Sequence, residues 1–212
     1  RPPRSTLFPY TTLFRSSHGR LHKMVPYREA VDVPLCFLWK GKVQENQEND
    51  SIFTPMDYLP TLCSLVGIEV PGCLDGKDLS GSVLNNSLDD REEILLMNYT
   101  RHWNEFYSET PETAADWQCW PEWRGVRSRR YTFVKWLDGK EEFYDHEEDP
   151  FQMRNLCLEE NPPQLINHYR DRLQQLLSEA HDIFPPGTFY AQWYDSRREL
   201  FMTGLGKVKQ SV

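Results

Sequence analysis

Trp123–Tyr144 reads WRGVRSRRYTFVKWLDGKEEFY, and this stretch decides the fold of the second half of the chain. Three runs within it, Trp123–Ser128, Tyr131–Leu137 and Glu142–Tyr144, are rich in aromatic and β-branched residues. Such residues pack well on a pleated surface, so each run reads as a strand. Arg129-Arg130 and Asp138-Gly139 separate them. Asp-Gly is a strong hairpin signal, because glycine accepts the positive φ of a tight turn. Ile94–Tyr99 reads as a further strand, reached through the aromatic-rich connection Thr100–Glu122. After Pro162-Pro163, residues Leu165, Tyr169, Leu173, Leu176 and Leu177 recur at helical spacing. A small antiparallel sheet of about four strands with one covering helix follows, an α+β unit.

Upstream the pattern changes. Val33–Trp39 (VPLCFLW) is a nearly continuous apolar run and predicts a buried strand of the parallel-sheet kind. Lys40–Asp50 is polar and aperiodic and reads as a surface loop. Thr54–Val66 carries Met56, Leu59, Leu62, Leu65 and Val66 on a helical spacing. Pro60 falls early enough to be tolerated there, and Gly67 is a helix stop. Pro71–Leu84, with Gly72, Gly76 and Gly81, reads as a loop ending a domain. The expected organisation is an α/β fragment over residues 17–85 and a small α+β subdomain with a tail over 86–212.

Composition narrows the function. The chain has 212 residues, 39% of them hydrophobic, which is enough for one globular domain or one and a fraction. Lys+Arg 24 against Asp+Glu 32 gives a net charge of −8, so nucleic acid and anionic membranes are poor partners. No apolar run approaches the ~18 residues of a membrane span. Cys36, Cys63, Cys73, Cys119 and Cys157 form no CxxC. Arg1–Ser16 (RPPRSTLFPYTTLFRS) stands apart, with three arginines and no acid. Back-translated in one frame, it resembles a widely used short-read sequencing adapter. It is expected to be non-native and is set aside from the fold.

Four stretches in order carry a resemblance. They are Ser17-His18-Gly19…Lys23…Pro26-Tyr27-Arg28-Glu29-Ala30-Val31-Asp32-Val33-Pro34-Leu35, then Met56–Leu62 with Gly67-Ile68, Pro71 and Leu74–Leu79. Trp123–Ser128 with Arg130-Tyr131 comes third, and Phe143-Tyr144-Asp145…Asp149-Pro150…Asn155-Leu156 closes the series. Together they resemble the sulfatases of the alkaline-phosphatase-like superfamily. Their counterparts there are Gly-Ser-His-Gly…Lys…Tyr-Glu-Glu-x-Val-Arg-Val-Pro-Leu, Asp-Leu-x-Pro-Thr-Leu-Leu…Asp-Gly-x-Ser-Leu, Arg-x-Val-Arg-Thr…Arg-Tyr and Leu-Tyr-Asp-Leu…Asp-Pro…Asn-Leu. Asp32 departs from the pattern, which has Arg there.

The resemblance implies a hydrolase of sulfate esters, on a small molecule or a carbohydrate. It implies a formylglycine nucleophile made from a Cys or Ser in Cys/Ser-x-Pro-x-Arg, and a calcium ion. Both would be held upstream of Ser17, so the chain by itself is expected to be inactive. Family members are usually exported. Lys23 corresponds to a lysine that touches the substrate sulfate. An ammonium there would stabilise charge developing on the sulfuryl oxygens. His18 follows the implied metal ligands closely and is expected to border the site. His18 and His22 share a spacing that can bind metal, but no Glu lies between them in HExxH form.

Cys119-Trp120-Pro121-Glu122-Trp123-Arg124 nearly mimics the nucleophile motif, with Arg one residue too far. It is read as a loop thiol among aromatics. His102 and Trp103, within the aromatic series Tyr99, Phe106, Tyr107, Trp117, Trp120 and Trp123, are candidate carbohydrate contacts. For the series as a whole, packing between the two domains outweighs a carbohydrate-contact role. Asp145-His146-Glu147-Glu148-Asp149 lacks calcium-loop spacing and reads as a turn and helix entry with capping carboxylates. Asn85-Asn86-Ser87 and Asn98-Tyr99-Thr100 fit the glycosylation sequon. Two other functions remain open on sequence: a phosphoric-ester or phosphonate hydrolase of the same superfamily, and a non-catalytic chain that binds carbohydrate.

Overall fold

The three runs of Trp123–Tyr144 fold as a meander. In the computed structural model, β2 (Trp123–Ser128), β3 (Tyr131–Trp136) and β4 (Glu141–Asp145) pair antiparallel, with Trp123 opposite Trp136, Val126 opposite Phe133 and Phe133 opposite Phe143. β1 (Glu93–Asn98) completes a four-stranded sheet of order β1-β2-β3-β4. Gly139 sits at φ 89 in the β3–β4 turn, the left-handed conformation the Asp-Gly pair predicts. The structure describes His18, 24–98, 122–185, Phe189, Trp193, 202–203 and 206–207. These residues divide into two compact units, Val33–Ile94 and a second formed by Arg1–Asp32 with Leu95–Val212.

Strand alternation gives the sheet two apolar faces. Val126, Phe133 and Phe143 meet Ile166, Tyr169, Leu173 and Leu177 of helix α4 (Leu165–Glu179) in one core cluster. Each such side chain taken from water contributes ~1.5–3 kcal/mol. The buried row starts at Ile166; Leu165 is 37% exposed. On the opposite face Trp123, Val134 and Trp136 pack with Val31, while Tyr144 packs with Val25 and Tyr27. The segment Met24–Asp32, with helix α1 (Arg28–Val31), therefore covers the face that α4 leaves open. Asn155 finishes the β4 edge: its Oδ1 accepts from Phe143 N at 3.0 Å and its Nδ2 donates to Glu141 O at 3.0 Å. In the tail, β5 (Met202–Thr203) pairs antiparallel with β6 (Gly206–Lys207).

The other unit holds α2 (Tyr58–Val66), preceded by a 3-10 turn Pro55–Asp57, and α3 (Ser80–Asn85). Gly67 ends α2 at φ 75, as its position predicts. Asp57 is fully buried. Its carboxylate accepts from Thr54 N (2.7 Å), Lys77 N (2.7 Å) and both Nη atoms of Arg91 (2.6 and 3.0 Å). Gly76 is required beside it, since a Cβ there would lie 1.9 Å from Met56 O.

Two sequence expectations change. Val33–Trp39 has no regular structure, and Leu38 is 88% exposed. A strand is held by ladder hydrogen bonds, and among the described residues none pairs with this run. Pro71–Leu84 is not loop throughout: its end forms α3 from Ser80. The Asp78 side chain accepts Ser80 N at 2.8 Å there, an Asx turn just ahead of the helix.

Candidate functional site

His18 is the candidate site residue that the structure describes. Its backbone is left-handed, with φ 55. Its ring stacks on Tyr27, with centroids 4.0 Å apart and 14° between planes. Its Nε2 lies 3.8 Å from Glu29 Oε1. Glu29 Oε2 is buried with no hydrogen-bond partner among the described residues. Lys23, His22, His102, Trp103 and Cys119 lie outside the described residues.

The segment behind His18 is tied to the sheet by polar bonds as well as packing. Trp123 Nε1 donates to Met24 O at 2.9 Å. Gln152 Oε1 accepts from Arg28 N at 2.6 Å. Asp32 accepts from Arg28 Nε at 2.8 Å and from Arg127 Nη2 at 3.2 Å. Asp32 therefore takes two guanidiniums where the resembled motif places Arg. That motif has Glu at the position of Arg28, so the pair is charge-reversed here and still closes at i,i+4.

Arg127 Nη1 lies 2.7 Å from His146 Nε2, and Thr132 Oγ1 is 2.8 Å from the same nitrogen. A guanidinium can only donate, so His146 Nε2 accepts and the proton sits on Nδ1. Nδ1 is buried without a partner among the described residues. Burial first, then Arg127 and Arg28, push the His146 imidazole down to about 4. His146 is thus a neutral structural histidine in the sheet's polar margin.

Trp123, at the end of the aromatic series, takes the packing role. It is 3% exposed and its indole N–H is committed to Met24 O. A stacking platform needs an open ring face. The acidic run at Asp145 is a turn without the expected helix entry: Asp145 accepts Glu147 N at 3.0 Å and pairs with Arg130 Nη2 at 2.7 Å. Among the described residues no three His, Cys, Asp or Glu side chains converge as metal ligands. They do not make the calcium site that the resemblance implies. Sequence reasoning missed Tyr27, Glu29 and Gln152 as supports. Tyr27 and Glu29 stand inside the Pro26–Leu35 motif, whereas nothing in the sequence marks Gln152.

The fold recurs in solved structures. A solved 2-O GAG sulfatase superposes with TM-score 0.54 at 22% identity, over 66% of this chain and 28% of that one. The protein yidJ from Bacteroides fragilis does so with TM-score 0.52 at 21% identity, over 69% and 29%. Residues 16–179 match the family described as N-sulphoglucosamine sulphohydrolase, C-terminal, and the chain belongs to that family.

An ulvan-active sulfatase of Formosa agariphila is 28% identical over 194 residues, covering 86% of this chain and 35% of the relative. An endo-4-O-sulfatase of Bacteroides thetaiotaomicron is 25% identical, over 80% of this chain and 35% of that relative. A Δ4,5-hexuronate-2-O-sulfatase of the same organism is 28% identical, over 79% and 33%. The chain therefore spans about a third of the length of the curated relatives it matches.

Proposed function

We propose that this chain is the closing third of a sulfuric ester hydrolase that acts on sulfated carbohydrate. The observation carrying this reading is the family match over residues 16–179, joined by relatives named for sulfate removal. Two of those relatives are named for a sulfated sugar or polysaccharide, hexuronate and ulvan, which favours a saccharide substrate.

In this reading Lys23 contributes an ammonium to the sulfuryl oxygens, where negative charge grows as the S–O bond breaks. Loss of such a donor typically costs ~10²–10³ in rate. His18 borders the same pocket, and His102 and Trp103 meet the sugar. The formylglycine nucleophile and calcium belong to residues upstream of Ser17. Arg1–Ser16 is read as adapter-derived, so that upstream part would be recovered from the source DNA. Residues 17–85 are assigned to the end of the large α/β domain and 86–212 to the small subdomain.

The test is expression of the longer protein with its own upstream sequence, assayed on an aryl sulfate and on sulfated saccharides. Sulfate release that falls on Lys23→Ala supports the reading. Absence of a Cys/Ser-x-Pro-x-Arg motif upstream, with no sulfate release, overturns it.

A further inference from the structure

We propose that the small sheet is the positioning scaffold for His18 and the segment behind it, with Trp123 and Gln152 as its positioning residues. The inference rests on the sulfatase reading, which sets His18 and Lys23 beside the substrate.

The contacts run in one direction. Trp123, Thr132, Val134, Trp136 and Tyr144 alternate onto the face opposite α4, and all are buried. Val25, Tyr27 and Val31 cover that face. Packing alone would let this short segment slide, since apolar contact is non-directional. Two hydrogen bonds to its backbone fix its register, with Arg127 Nη2 on the Asp32 side chain as a third tie. Trp123 Nε1 holds Met24 O, one peptide bond from Lys23, and Gln152 Oε1 holds Arg28 N at the start of α1. Gln152 is 1% exposed and sits at φ 53. A non-glycine residue in that region costs ~1–3 kcal/mol and persists only where its surroundings over-determine it.

The fixed segment in turn carries Tyr27 and Glu29, the stacking and charged partners of His18. The stack and the Glu29 carboxylate meet the imidazole from two residues on one turn of α1 and its approach, so the ring follows the segment. A displacement near 1 Å in such a contact can cost ~10²-fold in rate. The sheet thus acts through the segment and touches no reacting group.

Trp123→Phe deletes the N–H donor and keeps an aromatic ring. Gln152→Met deletes the acceptor at similar volume. Both are made in the chain as it stands, with exposed Lys140→Ala as control. The imidazole stacked on Tyr27 should carry an upfield ring-current shift, read by NMR on histidine-labelled protein and assigned with His18→Gln. The expected result is a cooperative fold in both variants with most of that shift lost, and no change in the control. If one exchange unfolds the chain, the other decides alone.

In the longer protein the same exchanges should lower kcat roughly tenfold with KM little changed. An unchanged His18 shift in folded variants overturns the scaffold. No sulfate release by the unsubstituted longer protein overturns the functional reading, and the shift then judges the scaffold separately.

Discussion

A neutral imidazole that accepts from Arg127 makes His146 a reporter of folding. Its folded value of about 4 lies below the ordinary 6.5, because burial and then Arg127 and Arg28 disfavour the cation. Between these values the unfolded chain binds more protons than the folded one. Stability therefore rises with pH across that window: the contribution is fully present above about 6.5 and is lost as pH falls toward 4. The expected loss is on the order of 2–3 kcal/mol. Urea midpoints of the chain should drop over this range, and His146→Leu should flatten the slope. An equal slope in both proteins would remove His146 as the cause. Asp57 is the second residue with large expected leverage. Burial alone would raise its carboxyl, yet the Arg91 guanidinium and the Lys77 and Thr54 N–H groups hold it below the usual range. Asp57→Ala strands Arg91 against the site it filled, at an expected cost of about 3–5 kcal/mol. Urea unfolding of Asp57→Ala, Arg91→Met and the double variant checks this. The double variant should cost less than the sum.

At the scale of elements, helix α4 shows how pattern becomes packing. Leu173 is 1% exposed against the sheet and Leu165 is 37% exposed. Leu173→Ala should destabilise by about 2–5 kcal/mol, while Leu165→Ala should stay within roughly 0.5 kcal/mol. Thermal or urea melts of the two variants separate core from rim. Local signals made this half legible. The alternation in Trp123–Tyr144, Asp138-Gly139 and the spacing after Pro162-Pro163 each fix an element without help from distant residues. Val33–Trp39 was not legible in that way. Its apolar composition suits a strand, but a strand exists only with a neighbour, and sequence does not say which neighbour is present. The site was legible as motifs only. Pro26–Leu35 marks the segment, yet its attachment to Trp123 and Gln152 joins residues about a hundred positions apart, beyond any local period. Asp32 illustrates the same limit, since its role appears only once Arg28 and Arg127 are found on either side of it.

At the scale of the whole chain, the sheet unit is assembled from two distant parts of the sequence, Arg1–Asp32 and Leu95–Val212, with Val33–Ile94 inserted between them. Contacts made by the first part are therefore tertiary, and they should survive a cut in the inserted unit. Lys40 and Lys42 offer that cut, both exposed in a stretch with no regular structure, beside Gly41 at φ 75. Exposed irregular backbone is what proteases engage first. Brief digestion with a lysine-specific protease should nick the chain there, while Lys135 within β3 resists because its peptide bond belongs to a paired strand. The peptide bearing Val25–Asp32 is then joined to the sheet only by Val25, Tyr27 and Val31 in their apolar clusters and by the bonds to Trp123, Gln152 and Arg127. Those contacts bury Val25 and Tyr27 and half-bury Val31, at up to ~1.5–3 kcal/mol each. They add three hydrogen bonds, at ~0.5–1.5 kcal/mol each. Against this stands the association cost of freeing the peptide, of order 4–15 kcal/mol. The balance is close enough for the variants to tip it. The nicked peptide should co-elute with the sheet unit on gel filtration, part from it in moderate urea, and part without urea in Trp123→Phe. A peptide that dissociates at once from the unsubstituted chain would mean the sheet holds its N-terminal segment only through the intact backbone.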